Sequence, residues 1–470
     1  MEASSPTAAV VLAAGQGKRL HSDVPKVLHL AAGRPLLIHV LFSLGPLPLS
    51  DRVVVTAPHV EIPSVVKAAG FDDVRFAVQD PARGTGDAVR VAMEELVPGS
   101  RDVLVVCGDT PGLKADTLTE LVAIHKDRGA EATLLTAMLD PPSGEGRIVR
   151  GVDGDVDRIV EERDTTEAEL NIREINAGVY VFREETLRRL LGALETDNAQ
   201  AEFYLTDVIG LIRSEGGLVV AISADAQEIA GVNSRSELAR VSRSLREEAC
   251  ERWMDAGVTI IDPQSTFIDV TVELARDVVL LPFTFLEGNT KIAQGARIGP
   301  QTRIVDSEIA AGATVSFSVV AGSSVGPEAS VGPFASLRPG SKLGRSVHVG
   351  SFVEIKATTM GDGSKAGHLA YLGDAEIGRD VNIGAGTITC NWDGQQKNPT
   401  LIEDDVYIGS DTMLVAPVQI RARAATGAGA VVKDEVPEDA LAVGVPARII
   451  SGKGDKMRRG ASDSPAKPRQ

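Results

Sequence analysis

The sequence predicts two joined architectures: an α/β, Rossmann-like domain in the front half and a parallel β-helix of hexapeptide period in the back half. Two observations carry this expectation. Residues 8–230 alternate short apolar or β-branched runs with helical stretches. After Gly257, aliphatic residues recur at every sixth position in three separate runs. The length of 470 residues also exceeds one ordinary core.

In the front half, Val10–Ala14, Arg52–Thr56, Val103–Cys107, Thr133–Ala137 and Gly178–Phe182 read as strands of a mostly parallel sheet. The run from Ala8 to Ala14 is apolar but lacks a basic flank and enters a Gly-rich turn, so it reads as a buried strand and not as a signal peptide. The expected front domain is 1–230. Residues 231–255 form a connecting helical arm, with Leu238, Val241, Leu245 and Ala249 at helical spacing.

The β-helix is expected over 256–450. Its first ladder runs Ile268, Leu274, Leu280, Leu286, Ile292, Ile298 and Ile304. It returns, after a slip, from Val325 to Ile355, and again from Ile402 to Val432. A six-residue period is neither helical nor alternating; it fits a triangular coil with one aliphatic residue per side pointing inward. The ladder breaks at 356–376 and 389–401, read as inserted loops that carry function. Residues 451–470 read as a disordered basic tail.

Composition fits this picture and excludes others. Aromatics are 4% of the chain and there are 47 glycines, as a tightly wound coil of small residues requires. A net charge of −17 argues against nucleic acid as a partner. No run approaches the roughly 20 apolar residues of a membrane span. Cys107, Cys250 and Cys390 are too scattered for a zinc pattern or a disulfide framework, which fits a reduced, cytoplasmic setting.

The first strand runs into Leu12-Ala13-Ala14-Gly15-Gln16-Gly17-Lys18-Arg19, with Pro25-Lys26 close behind. Such a loop offers backbone N–H groups to phosphates, with two cations beside them. Further runs follow in order: Gln79 with Gly84-Thr85-Gly86, Cys107-Gly108-Asp109-Thr110-Pro111, and Gly144-Glu145-Gly146-Arg147. After these come Ile159-Val160-Glu161, Ile175-Asn176-Ala177-Gly178, Glu202–Asp207 and Gly231-Val232-Asn233. In the back half stand Lys365–Asp374, with His368 and Tyr371, and Asn382 through Gly394.

This order resembles the bacterial bifunctional N-acetylglucosamine-1-phosphate uridyltransferase and glucosamine-1-phosphate N-acetyltransferase family over residues 8–450. The resemblance implies the left-handed form of the β-helix and a homotrimer with acetyl sites formed between neighbours. It implies UDP-N-acetylglucosamine synthesis from small-molecule substrates: acetyl-CoA and glucosamine-1-phosphate, then UTP, with Mg²⁺. That product supplies peptidoglycan and lipopolysaccharide assembly.

Residue roles follow from the same resemblance. In the front half, Leu12, Ala13, Ala14, Gly15, Arg19 and Lys26 hold UTP, and Gln79, Gly84 and Thr85 read the uracil. Gly146, Glu161 and Asn176 contact the acetylated sugar. Asp109 and Asn233 ligate Mg²⁺, a hard ion suited to oxygen donors, and Asn233 also contacts the nucleotide-sugar. In the back half, His368 is the general base, since neutral imidazole takes a proton near pH 7. Arg338 and Lys356 clamp the sugar phosphate, while Tyr371, Asn382 and Lys397 hold the sugar. Lys397 stands where it could reach an adjacent chain. Ala385, Asn391, Ser410 and Ala428 serve acetyl-CoA. The chain departs from the family pattern at Cys107, Glu145 and Gly444, with Arg448 available to replace an arginine at the last.

Two rival readings remain open at this point. One is a thymidylyl- or guanylyltransferase fused to a β-helix acyltransferase. The other is a non-catalytic assembly subunit, which eroded sites would mark; Lys26, Asp109, Asn233 and His368 are all present.

Overall fold

The front-half runs form one sheet of the strands β1 (Thr7–Ala13), β2 (Leu49–Thr56), β3 (Arg75–Val78), β4 (Asp102–Cys107), β5 (Ala132–Met138), β6 (Arg147–Arg150), β7 (Val156–Val160), β8 (Glu174–Arg183) and β9 (Val219–Ser223). The computed structural model describes residues 6–453, except 16, 59–60, 97–98, 100 and 143. The expected basic tail therefore lies, beyond Lys453, outside the described residues.

The order across the sheet is β9-β5-β8-β4-β1-β2-β3, with the β6–β7 hairpin attached to β8. β1 pairs in parallel with β2 and β4. β8 is antiparallel to both neighbours, which makes the sheet mixed. Both faces of β1 are buried: Ala8 and Val10 enter one core, Ala9, Val11 and Ala13 the other. A strand covered on both faces reads as a continuous apolar run, which is why 8–14 lacks alternation. β3, the β6–β7 hairpin and β9 were not among the expected strands; all are short, and β3 and the hairpin carry Arg or Asp.

The chain divides into two compact units, up to Leu245 and from Arg246. That division falls inside the helix Arg235–Asp255, which covers most of the expected arm.

In the second unit, three long parallel sheets wind as a triangular coil. Register partners lie one coil apart: Ile268 beside Leu286, and Leu286 beside Ile304. The ladder residues are all buried along the axis. The slip after Ile304 is a shortening of sides: Ile304 pairs with Val320, and Val320 with Leu337. Ile309, Val315 and Val320 carry the ladder through it.

The expected loop at 356–376 is a correction. The coil continues there through the strands Thr359–Met360, Lys365–His368, Tyr371–Gly373 and Ala375–Ile377. Met360, Ala366, Leu372 and Ile377 point inward. Sides shortened by one residue, and Ala and Met in place of Ile and Val, hid the period. The second break is a real excursion: residues 391–399 leave the coil between the strands Ile388–Cys390 and Thr400–Ile402, closed by a bridge between Trp392 and Lys397.

Candidate functional sites

The front site forms at the C-terminal edge of the parallel strands, where open α/β sheets take ligands. Ala13 ends β1 beside Thr56 of β2, and Thr56 lies beside Val78 of β3. Gln79 follows Val78, and Asp109 follows the end of β4. The Gly-rich loop needs its second glycine: Gly17 has φ +58°, and a Cβ there would lie 2.7 Å from Lys26 Cβ. That contact seats the loop against Lys26. Gly15 and Arg19 stand exposed, while Ala13 and Ala14 are buried.

Lys26 Nζ donates to Asn233 Oδ1 at 2.5 Å and pairs with the Asp109 carboxylate. A carboxylate and an amide oxygen thus converge on one cation, held there by their own chain. Asn233 is fixed by a capping box: Glu237 accepts from the backbone N–H of Asn233 and Ser234, and Ser234 Oγ accepts from Glu237 N. Arg235 donates to Leu20 O at 3.1 Å, tying this cap to the Lys26 loop. The oxygen pair suits Mg²⁺, which keeps waters and binds substrate phosphates beside one or two protein oxygens. Among the described residues no cluster of three or more His, Cys, Asp or Glu offers a fuller cage.

Gln79 is buried and donates to Gly84 O at 3.0 Å and Asp87 Oδ2 at 2.9 Å. Thr85 Oγ1 accepts from Leu205 N at 3.0 Å, and Gly86 N donates to Phe203 O. The run Glu202–Asp207 therefore braces the loop at Gly84–Gly86.

Gly146, Glu161 and Asn176 come together. Asn176 N donates to Gly146 O, and a Cβ on Gly146 would stand 3.6 Å from Glu161 Oε2. Burial raises the pKa of Glu161, against a hydrogen bond from Thr206. Asn176 Nδ2 donates to the Tyr180 hydroxyl at 2.6 Å. Cys107 Sγ faces Gly178 in the same neighbourhood. Burial pushes its thiol up to about 12, helped by Asp109 and opposed by Lys26. Thr206 and Tyr180 were given no role from sequence. Thr206 lies within a quoted run, but Tyr180, inside a strand, left no signal.

The back site divides over two adjacent faces of the coil. His368 ends its strand, exposed, and registers beside Ser351. Successive registers place Ala385, Ser410 and Ala428 below it in one column, about 4.8 Å apart. Asn382 lies on the same face, between Lys365 and Tyr407.

Around the next corner stand the cations. Arg338 registers beside Lys356. Lys356 Nζ donates to Asp374 at 3.2 Å and 3.3 Å. Arg338 pairs with Glu354 at 2.9 Å. Lys397 lies beside Lys356 of its own chain, and that neighbour lowers the Lys397 pKa. Three cations on one patch, under-matched by Glu354 and Asp374, suit a phosphate. Tyr371 is one strand edge away from His368 on the same turn.

Asn391 belongs to this group and not to the Ala385 column: its Nδ2 donates to Asp374 Oδ2 at 2.5 Å and to the Tyr371 hydroxyl at 3.3 Å. Gly373 makes the arrangement possible, since a Cβ there would lie 2.5 Å from the Tyr371 hydroxyl and 2.7 Å from Asn391 Nδ2. Asp374 and Glu354 were given no role from sequence, although Asp374 closes the quoted Lys365–Asp374 run. Gly444 and Arg448 flank the final turn, and Arg448 is exposed in an antiparallel pairing with Val443.

Residues 9–150 match the family described as the MobA-like NTP transferase domain. The chain is 48% identical over 436 residues to the bifunctional protein GlmU of Heliobacterium modesticaldum, covering 93% of this chain and 94% of that protein. It is 45% identical over 476 residues to the bifunctional protein GlmU of Thermobifida fusca, covering 100% and 98%. Against that of Streptomyces coelicolor it is 45% identical over 447 residues, covering 94% and 92%. The chain belongs to the bifunctional GlmU family and is an enzyme of two transfers, acetyl and uridylyl, that together make UDP-N-acetylglucosamine.

Proposed function

We propose that the two halves run consecutive steps, each on its own residues. In the back half the amine of glucosamine-1-phosphate attacks the thioester carbonyl of acetyl-CoA, and CoA leaves as the thiol. The amine arrives as an ammonium, so a proton must first depart; exposed His368 accepts it. Arg338, Lys356 and Lys397 hold the phosphate, and Tyr371 and Asn382 orient the sugar. Acetyl-CoA lies along the column Ala385, Ser410 and Ala428. Asn391 supports Tyr371 and Asp374.

In the front half a phosphate oxygen of N-acetylglucosamine-1-phosphate attacks the α-phosphate of UTP, and pyrophosphate leaves. No covalent enzyme intermediate is needed; alignment and charge neutralisation suffice. Arg19, Lys26 and the backbone from Leu12 to Gly15 hold the triphosphate. Gln79, Gly84 and Thr85 take the uracil, and Gly146, Glu161 and Asn176 take the sugar. Asp109 and Asn233 hold Mg²⁺, which supplies further neutralisation of the phosphates when bound. Lys26, which pairs with both of these oxygen donors, stands where it would also meet the phosphates.

The chain acts as a homotrimer in the cytoplasm and supplies cell-wall precursors. A stack of exposed apolar side chains along one corner of the coil supports self-association: Phe334 is 54% exposed, and Phe352 and Leu369 are each 61% exposed. The Phe334 and Phe352 rings stack at 5.4 Å. Leu369 directly follows His368, so a second copy docked on this corner would close over the base. Among the described residues no helix is long and apolar enough to cross a membrane.

One observation carries the reading: each half gathers its own cations, beside two oxygen donors in the front half and one corner of the coil away from an exposed imidazole in the back half. The test follows free thiol and pyrophosphate separately with glucosamine-1-phosphate, acetyl-CoA, UTP and Mg²⁺ present. His368→Ala is expected to abolish thiol release while leaving pyrophosphate release from added N-acetylglucosamine-1-phosphate unchanged. Loss of both activities in a folded variant would rule out two separate sites.

A further inference from the structure

The Arg147 side chain is 1% exposed, among the largest fully buried side chains of the molecule. A guanidinium so placed is costly unless its charge is paired and its donors are used. Its Nη2 donates to Glu162 Oε2 at 3.0 Å, and its Nη1 donates to Glu145 O. Glu162 Oε2 also accepts from Gly144 N at 2.5 Å. Arg147 Nε is buried with no hydrogen-bond partner among the described residues. An apolar side chain would avoid that cost, so stability alone does not explain an arginine here.

Position does. Gly146 immediately precedes Arg147, and Glu161 immediately precedes Glu162. Arg147 registers beside Val160 on one side and Ile175 on the other. The ion pair therefore sits where the three segments bearing Gly146, Glu161 and Asn176 meet. The strand begins at Arg147, and one backbone bond beyond it, from Asn176 N, reaches Gly146 O but not Gly144 or Glu145. Bonds from the pair to Glu145 O and Gly144 N hold the turn at 144–146.

We propose that Arg147 and Glu162 are positioning residues, a clamp that sets the width of the N-acetylglucosamine-1-phosphate subsite by fixing Gly146 against Glu161. This rests on the reading of Gly146, Glu161 and Asn176 as that subsite. Neither member of the pair touches substrate; both act through their chain neighbours.

The test uses full-length Glu162→Gln, Arg147→Met, Arg147→Lys and Glu161→Ala. UTP and N-acetylglucosamine-1-phosphate are varied separately, and thermal melting of the same samples reports on folding. Glu162→Gln alters only the more exposed partner, so the test survives if Arg147→Met does not fold. The clamp predicts a KM for the sugar phosphate raised about tenfold in Glu162→Gln and Arg147→Met, with the KM for UTP changed less than about twofold. Arg147→Lys should recover part of the loss. If Glu161→Ala raises the sugar-phosphate KM but Glu162→Gln does not, the clamp is wrong and the subsite stands. If Glu161→Ala also leaves that KM unchanged, the subsite reading falls and the clamp with it. A parallel rise in both KM values, or failure of Glu162→Gln to fold, marks a merely structural pair and overturns the proposal.

Discussion

Substituting Gly373 by alanine adds one methyl group between Tyr371 and Asn391, at the centre of the site proposed for acetyl transfer. Its Cβ would stand 2.5 Å from the Tyr371 hydroxyl and 2.7 Å from Asn391 Nδ2. An ordinary carbon contact is about 3.5 Å, so the shortfall is about 1 Å. Gly373 does not have a positive φ, so its backbone accepts alanine without strain. The obstructing atoms, Tyr371 Cζ at 2.7 Å among them, all belong to the outer parts of side chains and can swing away. The stability cost should then stay near about 1–2 kcal/mol. On the proposed reading the functional cost is larger, because Tyr371 would orient the sugar and Asn391 steadies Asp374 behind Lys356. A displacement of about 1 Å in a positioning group costs on the order of 100-fold in rate. Thiol release from acetyl-CoA is therefore expected to fall about 100-fold in Gly373→Ala, while uridylyl transfer by the same chain stays at the wild-type rate. Acetyl transfer within about twofold of wild type would refute the placement of Tyr371 and Asn391 at the sugar.

Three further outcomes are expected. Phe352→Asp should dissociate the proposed trimer in sedimentation and lower acetyl transfer, while uridylyl transfer persists; an oligomer unchanged by the substitution would remove the corner from the interface. Cys107, with its thiol pushed up to about 12, should carry only about 10⁻⁴ of its population as thiolate at pH 8 and resist iodoacetamide. Rapid loss of uridylyl transfer traced by mass spectrometry to Cys107 would contradict its raised pKa. Glu161 has a folded pKa raised by burial, so its ionised form costs stability above the unfolded pKa, and that cost fades as pH falls through the folded value. Glu161→Gln should accordingly raise the melting temperature at pH 7.5, with the gain shrinking toward pH 4; a lower melting temperature at pH 7.5 would reverse the sign of the argument.

Much of the fold was legible because the period of burial is written locally. A six-residue ladder needs one inward side chain per side, and Ile268 through Ile304 display it without interruption. Where sides shorten by a residue, as from Ile355 through Met360 to Leu372, the period dissolves although the coil does not. The expected loop at 356–376 failed for that reason, while the excursion at 391–399 was recognised because the chain there really leaves the coil.

The sequence by itself determined the residue types at the sites and their order, because phosphate loops, an oxygen-donor pair and a free imidazole require particular residues. Only the tertiary structure decided which of them meet. Lys26 and Asn233 stand 207 residues apart, yet their side chains touch. His368 joins Ala385, Ser410 and Ala428 in one column, while Asn391 turns to Tyr371 and Asp374 on another face. These groupings depend on strand order and coil register. Both are set by packing between distant segments, and no local run of residues encodes that packing.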